Sequence, residues 1–469
     1  MIPQSLGVLS SWCGGSLIRG QESIIAQRVV TDTRLLGAGD LFVALRGDRF
    51  DGHAFLVRAA EAGAAAVLVA ADFAGHLPEG TGVITVADTR KALGMVAARY
   101  RAQLAIPVVG VGGSCGKTST KDILAAVVEQ RWPTRRSPES FNNEIGVPIT
   151  LLGVEPWHRV AVVELGSNHP GELAPLARMA RPTHAIIASL GPEHLEHFGD
   201  MAGVVEEEGW LAELLSSSGT LFLYADDEGA ASVAGRCTAR VTRVGWGSGN
   251  DWQALDASVS AGGTTFRVAA PDPAWSGEYR VALSGRHQVC NAILAIAAAA
   301  ELGMKRSEVE QGLARCVPAK HRMRVVDVGG TLILDDCYNA NPASMRAGLD
   351  TLVELGRDRR TVAVLGDMAE LGEHALAAHR EAGTQAGRCG VDVVLCVGSM
   401  AGTTAAAARE AGVPLVEVAG SVEEAVEVLT HGVRSGDCVL IKASRSSRFE
   451  RLVDALQRRF TPAAAGVAA

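Results

Sequence analysis

The stretch LAIPVVGVGGSCGKTSTKDILAAVVEQ, residues 104–130, decides the fold of the region around it. Its first half is apolar and β-branched, which predicts a buried strand, and DILAAVVEQ predicts a helix. Between them lie glycines, Lys117 and Thr118. The backbone amides of such a loop and the N-terminus of the next helix bind phosphate, while the lysine and threonine serve the phosphates and Mg²⁺. The stretch therefore predicts a phosphate-binding strand–loop–helix unit.

The loop departs from the strict G-x-x-x-x-G-K-[ST] pattern, because Val111 stands where the first glycine is expected. A tight turn with an incidental lysine is the structural alternative. A dinucleotide-binding G-x-G-x-x-G loop is another, although that motif has no use for Lys117 and Thr118. The coincidence of strand, glycines, GKT and helix favours phosphate binding. The predicted phosphate contacts are Gly113, Ser114, Cys115, Gly116, Lys117, Thr118 and Ser119.

Length and composition restrict the class of protein. A chain of 469 residues is expected to form two or three domains. The formal net charge of −8 argues against a nucleic-acid partner. Nine cysteines without a CxxC pair favour free thiols in a reducing cytoplasm. No apolar run reaches membrane-spanning length, and MIPQSLGVLSSWCGG lacks the pattern of a signal peptide, so we expect a cytoplasmic protein.

The patterning predicts an α/β protein of three domains. Residues 1–104 mix short strands and turns and predict a small N-terminal α/β domain. Residues 105–316 alternate apolar strands with helices and predict a central P-loop-type parallel-sheet ATPase domain. Residues 317–469 restart the pattern with four strands that end in polar loops, which predicts a C-terminal Rossmann-like domain.

Polar residues follow several strands of the predicted central sheet. Glu164 ends VAVVE, His194 follows IIASLGPE, and Asn142 and Asn143 lie in the loop FNNEIGVP. Each alone is commonly a capping or structural residue. Because the carboxyl ends of parallel strands meet at one edge of a sheet, their common position favours a catalytic site with Lys117.

Several segments together resemble the Mur ligase family, the ATP-dependent amide-forming enzymes of peptidoglycan precursor synthesis. The resemblance lies in DTR…GDLFVALRGDRFDGHAF, GGSCGKTSTK, FNNEIGVPITLL, ELGSNHPGEL, EHLEHFGDMAGV, GRHQVCNAILAIAAA, LILDDCYNANPASM, LGDMAELG and VLIKASRS. It implies that ATP phosphorylates a peptide carboxylate and that an amine then displaces phosphate. DDCYNANPASM and GDMAELG favour the member that joins D-alanyl-D-alanine to UDP-N-acetylmuramoyl-tripeptide (UDP-MurNAc-tripeptide). We expect ATP and Mg²⁺ as cofactors and a monomeric enzyme.

The resemblance also implies roles for individual residues in nucleotide and metal binding. Thr118 and Glu164 would hold one Mg²⁺ and His194 a second. Asn291 is similar to the residue that reads adenine. Arg322 and Asp336 match nucleotide contacts from the third domain, although a solvated arginine, or an alignment with Arg324 instead, is the alternative for Arg322.

Substrate contacts are implied in the first and third domains. For the UDP-sugar these are the stretch RGDRFDGH and Thr33, Arg34, Asp51 and Gly52, for which a turn with a salt bridge is the alternative. In the third domain the corresponding residues are Tyr338, Asn339, Lys442, Ser444 and Arg445. The last three either bind the dipeptide carboxylate or give structural support.

One position departs from the family pattern. Where the family has a helical lysine whose carbamate helps to bind the second Mg²⁺, this chain has Glu208, within AGVVEEEGW. A carboxylate keeps the charge and the oxygen ligands on a shorter side chain. We predict that Glu208 replaces the carbamate, so that activity is independent of bicarbonate; a solvated acidic helix face is the alternative. Gln288, where the family often has Asn, is a smaller departure.

Other functions stay open at this point. A P-loop kinase or NTPase would turn over ATP without an amine acceptor. A catalytically dead nucleotide-binding module would follow if the second metal site has decayed. Within the family, the ligase that adds the third amino acid is the alternative. The third residue of the acceptor peptide, meso-diaminopimelate or lysine, is not determined by these motifs.

Overall fold

The computed structural model describes residues 1–47 and 50–461. Four sheets are formed within these residues, of nine, six, five and two strands. Strands and helices are numbered below in chain order.

The first domain is built on a five-stranded sheet in the order β2-β7-β6-β5-β4, and β1 pairs separately with β3. All pairs in the larger sheet are parallel except β2 with β7. Its helix α3 packs on the central domain, where the buried Tyr100 hydroxyl donates to Val154 O (2.7 Å). The elements are β1 Gln4–Ser5, α1 Leu6–Trp12, β2 Ser16–Arg19, β3 Ile25–Ala26, β4 Val29–Val30, β5 Leu41–Val43, α2 Leu56–Glu61, β6 Ala66–Ala70, β7 Gly82–Val86 and α3 Thr89–Ala102.

The central domain holds the nine-stranded sheet, in the order β16-β15-β14-β13-β12-β11-β8-β10-β9. Strands β8 to β14 pair in parallel, as predicted from the apolar sequences of β8, β10 and β11. Strands β14, β15 and β16 form an antiparallel extension that the sequence analysis did not predict. The elements are β8 Val108–Gly112, α4 Lys117–Val128, β9 Thr134–Arg136, α5 Gly146–Leu152, β10 Val160–Glu164, α6 Leu173–Ala180, β11 His184–Ile187, α7 Leu195–Phe198, α8 Met201–Glu213, β12 Thr220–Tyr224, α9 Ala230–Arg236, β13 Arg240–Gly245, β14 Trp252–Ser260, β15 Gly263–Ala269, β16 Gly277–Val281, α10 His287–Glu301 and α11 Arg306–Arg315.

Helices cover both faces of this sheet, which explains why its strands are apolar on both sides. In β8, Val108 packs into the hydrophobic core shared with the first domain, and Val109 and Val111 pack into a second core with α4 and α10. The carboxyl end of β8 lies between those of β10 and β11. This placement brings the loop after β8, Glu164 at the end of β10 and the loop after β11 to one edge.

The third domain has a six-stranded sheet in the order β17-β18-β22-β19-β20-β21, antiparallel only between β17 and β18. The predicted helix-covered α/β layering is confirmed. Its parallel strands follow one another as 1-5-2-3-4 in chain order, which differs from the 3-2-1-4-5-6 order of dinucleotide-binding folds. The elements are β17 Arg324–Val328, β18 Thr331–Asp336, α12 Pro342–Leu355, β19 Thr361–Leu365, α13 Ala375–Arg388, β20 Val393–Val397, α14 Ala401–Glu410, β21 Leu415–Ala419, α15 Val422–Gly432, β22 Cys438–Lys442 and α16 Glu450–Phe460.

No helix in residues 1–47 and 50–461 combines the length and apolar character needed to cross a membrane. The predicted domain boundaries, 1–104, 105–316 and 317–469, stay predictions.

Candidate active site

Two glycines shape the loop that follows β8. Gly113 has φ of 111°, and a Cβ there would lie 2.8 Å from Ala188 N and Ser189 O, so the backbone of the neighbouring strand leaves no room for a side chain. Gly116 has φ of 83° and is the N-cap of α4. Because left-handed backbone favours glycine, both positions of the G-x-x-G pattern have a structural reason.

The amides of the loop are largely engaged by protein atoms. Gly113 N donates to Glu208 Oε2 (2.7 Å) and Ser114 N to Ser189 O (2.8 Å). Cys115 N donates to Ser189 Oγ (2.9 Å). The amides of the first turn of α4 have no intrahelical acceptor. A phosphate is therefore expected at the N-terminus of α4 rather than deep in the loop.

Lys117 is held above the loop as a charged group. Its Nζ donates to Gly113 O and to Ser114 O (3.2 Å) and lies 3.3 Å from Glu193 Oε2. Burial lowers the pKa of Lys117, but the charges of Glu193 and Glu208 outweigh that effect and leave the pKa above its usual value. Lys117 is therefore protonated and can pair with an anionic ligand.

Glu164 lies beside the loop, and one of its carboxylate oxygens has no hydrogen-bond partner. Its Oε1 accepts from Thr118 Oγ1 (3.1 Å) and from Asn142 Nδ2 (3.0 Å). Its Oε2 is buried without a hydrogen-bond partner, although Lys121 Nζ is 3.4 Å away. A buried oxygen of this kind beside a threonine hydroxyl fits Mg²⁺, which prefers oxygen ligands.

His194 lies on the same side of the sheet, between two glutamates. It adopts left-handed backbone, with φ of 47°. Its Nδ1 is hydrogen-bonded to Glu370 of the third domain, and its Nε2 lies 3.9 Å from Glu193 Oε2. The sequence analysis missed Glu193 and Glu370; the adjacency of Glu193 to His194 was the available signal for the first.

Glu208 is buried behind the loop. Its side chain is tied to Gly113 N and lies near Lys117, and burial raises its pKa from 4.5 to about 7. Among the described residues that line the cleft, Glu164 and Glu193 are present and Glu208 is not. Its role as a metal ligand stays a prediction.

A cleft of about 570 Å³ joins the central and third domains at this edge. Its lining includes most of the residues predicted to bind nucleotide or to act in catalysis. Those from the central domain are Ser114, Cys115, Gly116, Lys117, Thr118, Ser119, Asn142, Glu164, His194 and Asn291. From the third domain come the predicted nucleotide contacts Arg322 and Asp336 and the predicted substrate contacts Tyr338, Asn339 and Lys442.

Arg322 crosses from the third domain toward the central one. Its guanidinium stacks on the Tyr338 ring at 4.0 Å, and its Nη2 donates to Ser140 Oγ at 3.0 Å. Lys442 is buried and forms an ion pair of 2.5 Å with Asp336 Oδ2, while Asp336 Oδ1 accepts from Met323 N (2.9 Å). Arg322 and Lys442 of the third domain therefore line the same cleft as Lys117 of the central domain.

The end of the cleft near Asn291 suits an uncharged aromatic group. Asn291 donates to Gln288 Oε1 (3.0 Å) beside the loop glycine Gly116. Burial lowers the pKa of His287 to about 4, so this imidazole is neutral, and its Nδ1 has no hydrogen-bond partner. Trp246 lies under the guanidinium of Arg286 at 4.7 Å.

Three other predicted residues make contacts within their own segments or domain. Asn143 Oδ1 accepts from Ile145 N and Gly146 N at the start of α5. The buried Ser444 accepts from Ala369 N (2.9 Å), and the exposed Arg445 lies 3.4 Å from Glu450 Oε2. None of the three is among the described residues that line the cleft.

The residues predicted for the UDP-sugar lie in the first domain, outside the described lining of the cleft. Thr33 and Arg34 are in the turn after β4, where Arg34 pairs with Asp32 at 2.6 Å. Asp51 accepts from His53 N (2.9 Å). Gly52 packs against the backbone of Leu45, where a Cβ would lie 2.7 Å from Leu45 N. Residues 48 and 49 of RGDRFDGH lie outside the described residues.

This chain belongs to the Mur ligase family. The family models match it in three parts: "Mur ligase family, catalytic domain" over residues 26–101, "Mur ligase middle domain" over residues 111–299, and "Mur ligase, glutamate ligase domain" over residues 321–445. The resemblance found in its motifs is thereby confirmed.

Among its relatives is the UDP-N-acetylmuramoyl-tripeptide--D-alanyl-D-alanine ligase of Escherichia coli (strain K12), which is 36% identical with 98% of this chain and 100% of that protein covered. The ligase of the same name from Bacillus subtilis (strain 168) is 33% identical, with 97% and 98% covered. The structure of MurF from Acinetobacter baumannii matches with a TM-score of 0.87 at 30% identity, over 98% of this chain and 99% of that one. MurF ligase from Thermotoga maritima in complex with ADP matches with a TM-score of 0.80 at 26% identity, over 93% and 98%.

Proposed function

We propose that this chain is the ligase that joins D-alanyl-D-alanine to UDP-MurNAc-tripeptide at the expense of ATP. The observation that carries the proposal is the cleft in which Lys117 and Glu164 of the central domain face Arg322 and Lys442 of the third domain. The names of the full-length relatives support it, because they describe this reaction. Cytoplasmic action as a monomer is part of the proposal.

The reaction begins with a phosphoryl transfer. A carboxylate oxygen of the tripeptide attacks the γ-phosphorus of ATP, and the bond to the β-phosphate oxygen breaks to release ADP. The amine of D-alanyl-D-alanine then attacks the carbonyl carbon of the acyl phosphate. Phosphate leaves with the former carboxylate oxygen, and the amine loses a proton. Lys117 and Arg322 stabilise the negative charge that gathers on the transferred group.

The nucleotide is proposed to enter with its phosphates at the N-terminus of α4, over Gly116 to Ser119. Asn291 contacts the adenine, Arg322 contacts the γ-phosphate, and Asp336 contacts the ribose. The hydrogen bonds of Arg322 to Ser140 and of Met323 N to Asp336 hold these groups at the border of the two domains. Closure of the third domain on the central one would exclude water from the acyl phosphate.

Mg²⁺ fits the residues of the cleft. Thr118 and Glu164 would hold one ion, and His194 would hold a second with a carboxylate that the sequence analysis places at Glu208. The unpartnered Oε2 of Glu164 supports the first site. When bound, the ions would neutralise the charge between the nucleotide and the acceptor carboxylate.

The substrate contacts are proposed by position. Thr33, Arg34, Asp51 and Gly52 lie in the first domain, where the UDP-sugar is expected. Asn142 and Asn143 belong to the loop beside Glu164. In the third domain the proposed contacts are Tyr338, Asn339, Lys442, Ser444 and Arg445; the burial of Ser444 and its bond to Ala369 N favour structural support for that residue.

The test is a phosphate-release assay on the full chain with ATP, Mg²⁺ and UDP-MurNAc-tripeptide, with and without D-alanyl-D-alanine, in parallel with mass spectrometry of the product. We expect phosphate release that depends on both substrates, together with a UDP-MurNAc-pentapeptide. Tripeptides ending in meso-diaminopimelate and in lysine are compared in separate reactions. Lys117→Met is the negative control.

Two outcomes would overturn the proposal. Phosphate release at the same rate without the dipeptide would indicate an NTPase. Product from UDP-MurNAc-dipeptide and a free amino acid, with none from the tripeptide, would indicate the ligase that adds the third residue.

A further inference from the structure

Glu193 is a buried carboxylate in the cleft, adjacent to His194 in the chain. Its side chain is 7% exposed, and Glu193 lines the cleft together with Glu164 and His194. Its Oε2 faces Lys117 Nζ at 3.3 Å. Its Oε1 is buried without a hydrogen-bond partner among the described residues. Buried carboxylate oxygens normally have partners, so the bare Oε1 indicates a ligand that binds there.

The neighbouring imidazole offers a second ligand atom. The hydrogen bond of His194 Nδ1 to Glu370 fixes the ring and turns Nε2 toward Glu193 Oε2, 3.9 Å away. An outer carboxylate of this kind is the usual support of a metal-binding histidine. Two ligand atoms of one Mg²⁺ lie roughly 3 Å apart. The bare Oε1 belongs to the same carboxylate as Oε2, so Glu193 places a carboxylate oxygen within reach of an ion bound by His194 Nε2.

Glu208 is less well placed for the same ion. Its Oε2 already accepts from Gly113 N at 2.7 Å, behind the loop, whereas Glu193 opens into the cleft. Moving Glu208 into the cleft would break that bond and leave Gly113 N buried without its acceptor.

We propose that Glu193, and not Glu208, supplies the carboxylate that binds the second divalent cation beside His194. Glu208 then acts as a positioning residue that holds the phosphate loop through Gly113 N. The inference rests on the proposed use of two Mg²⁺ ions, and it departs from the expectation that the residue at position 208 is the ligand.

The experiment counts bound ions directly. Mn²⁺ replaces Mg²⁺, and its binding to the full chain is titrated by electron paramagnetic resonance with a non-hydrolysable ATP analogue and UDP-MurNAc-tripeptide present. We expect two ions in the wild type. In Glu193→Gln the second ion should bind at least tenfold more weakly, with the affinity for the ATP analogue changed by less than threefold. Glu208→Gln is the matched control, because it removes the charge of the second glutamate that acts on Lys117. Both ions should still bind to this variant.

The proposal is overturned if Glu193→Gln keeps both ions at wild-type affinity, or if Glu208→Gln alone loses the second ion. A crystal of the wild-type complex with Mn²⁺ gives a check that needs no variant: an anomalous peak within coordination distance of a Glu193 oxygen supports the proposal, and a second ion away from Glu193 refutes it. A wild type that binds one ion but still makes the pentapeptide would refute this inference and leave the proposed function standing.

Discussion

Glu208→Gln should change how the free energy of unfolding depends on pH. Glu208 is 2% exposed and accepts one hydrogen bond, from Gly113 N. Burial raises its pKa from 4.5 to about 7, against the opposing charge of Lys117. A carboxyl group with a raised pKa binds its proton more tightly in the folded state. The contribution of Glu208 to folding stability therefore falls as the pH rises from 4.5 through 7, and it is constant above that range.

The size of the effect follows from the two pKa values. Their difference corresponds to about 3 kcal/mol, of which about 2 kcal/mol is lost between pH 5 and pH 8. Glutamine keeps an oxygen that can accept from Gly113 N and cannot ionise. The variant should therefore gain about 2 kcal/mol over the wild type between pH 5 and pH 8.

The assay is urea unfolding of the ligand-free protein at several pH values, followed by tryptophan fluorescence. The control is Glu206→Gln on the same helix, whose side chain is 67% exposed and paired with Arg236 at 3.1 Å. This variant removes an exposed carboxylate from the same helix, for comparison with the buried one. A difference between Glu208→Gln and the wild type that is equal at pH 5 and pH 8 would refute the raised pKa of this buried carboxylate.

Three further substitutions test other contacts. Lys117→Met should lower kcat for phosphate release at least a hundredfold, because it removes the charge over the loop; a smaller fall would contradict its role. Arg322→Lys keeps the charge but loses the planar stack on Tyr338, so KM for ATP should rise about tenfold in steady-state kinetics, and an unchanged KM would count against a nucleotide contact. Glu370→Gln weakens the support of His194 Nδ1, so half-saturation should need several-fold more Mg²⁺ at constant ATP; equal Mg²⁺ curves would show that the contact does not matter.

Features with a local sequence pattern could be predicted. The loop from Gly113 to Thr118 was recognised because strand, glycines and helix follow one another within a few residues, and Glu164 because it ends an apolar strand. The helix α4 was predicted from the apolar pattern of DILAAVVEQ. In each case the determining contacts lie close together in the chain.

Features that depend on distant contacts were missed. The bond between His194 and Glu370 joins residues 176 positions apart, and that between Arg322 and Ser140 joins residues 182 apart. Glu193 has no periodic pattern of its own, and its bare oxygen is recognised only when the packing around it is known. The length of a side chain also decides which group it can contact. The glutamate at position 208 reaches Gly113 N behind the loop and is not among the described residues that line the cleft.

Transfer of a labelled oxygen tests the central claim most directly, namely that ATP phosphorylates the acceptor carboxylate before the amide forms. UDP-MurNAc-tripeptide carrying ¹⁸O in its reacting carboxyl group is incubated with the enzyme, ATP, Mg²⁺ and D-alanyl-D-alanine, and the released phosphate is analysed by mass spectrometry. An acyl phosphate predicts one ¹⁸O atom in each phosphate formed from fully labelled substrate. Unlabelled phosphate formed along with the pentapeptide would contradict the account.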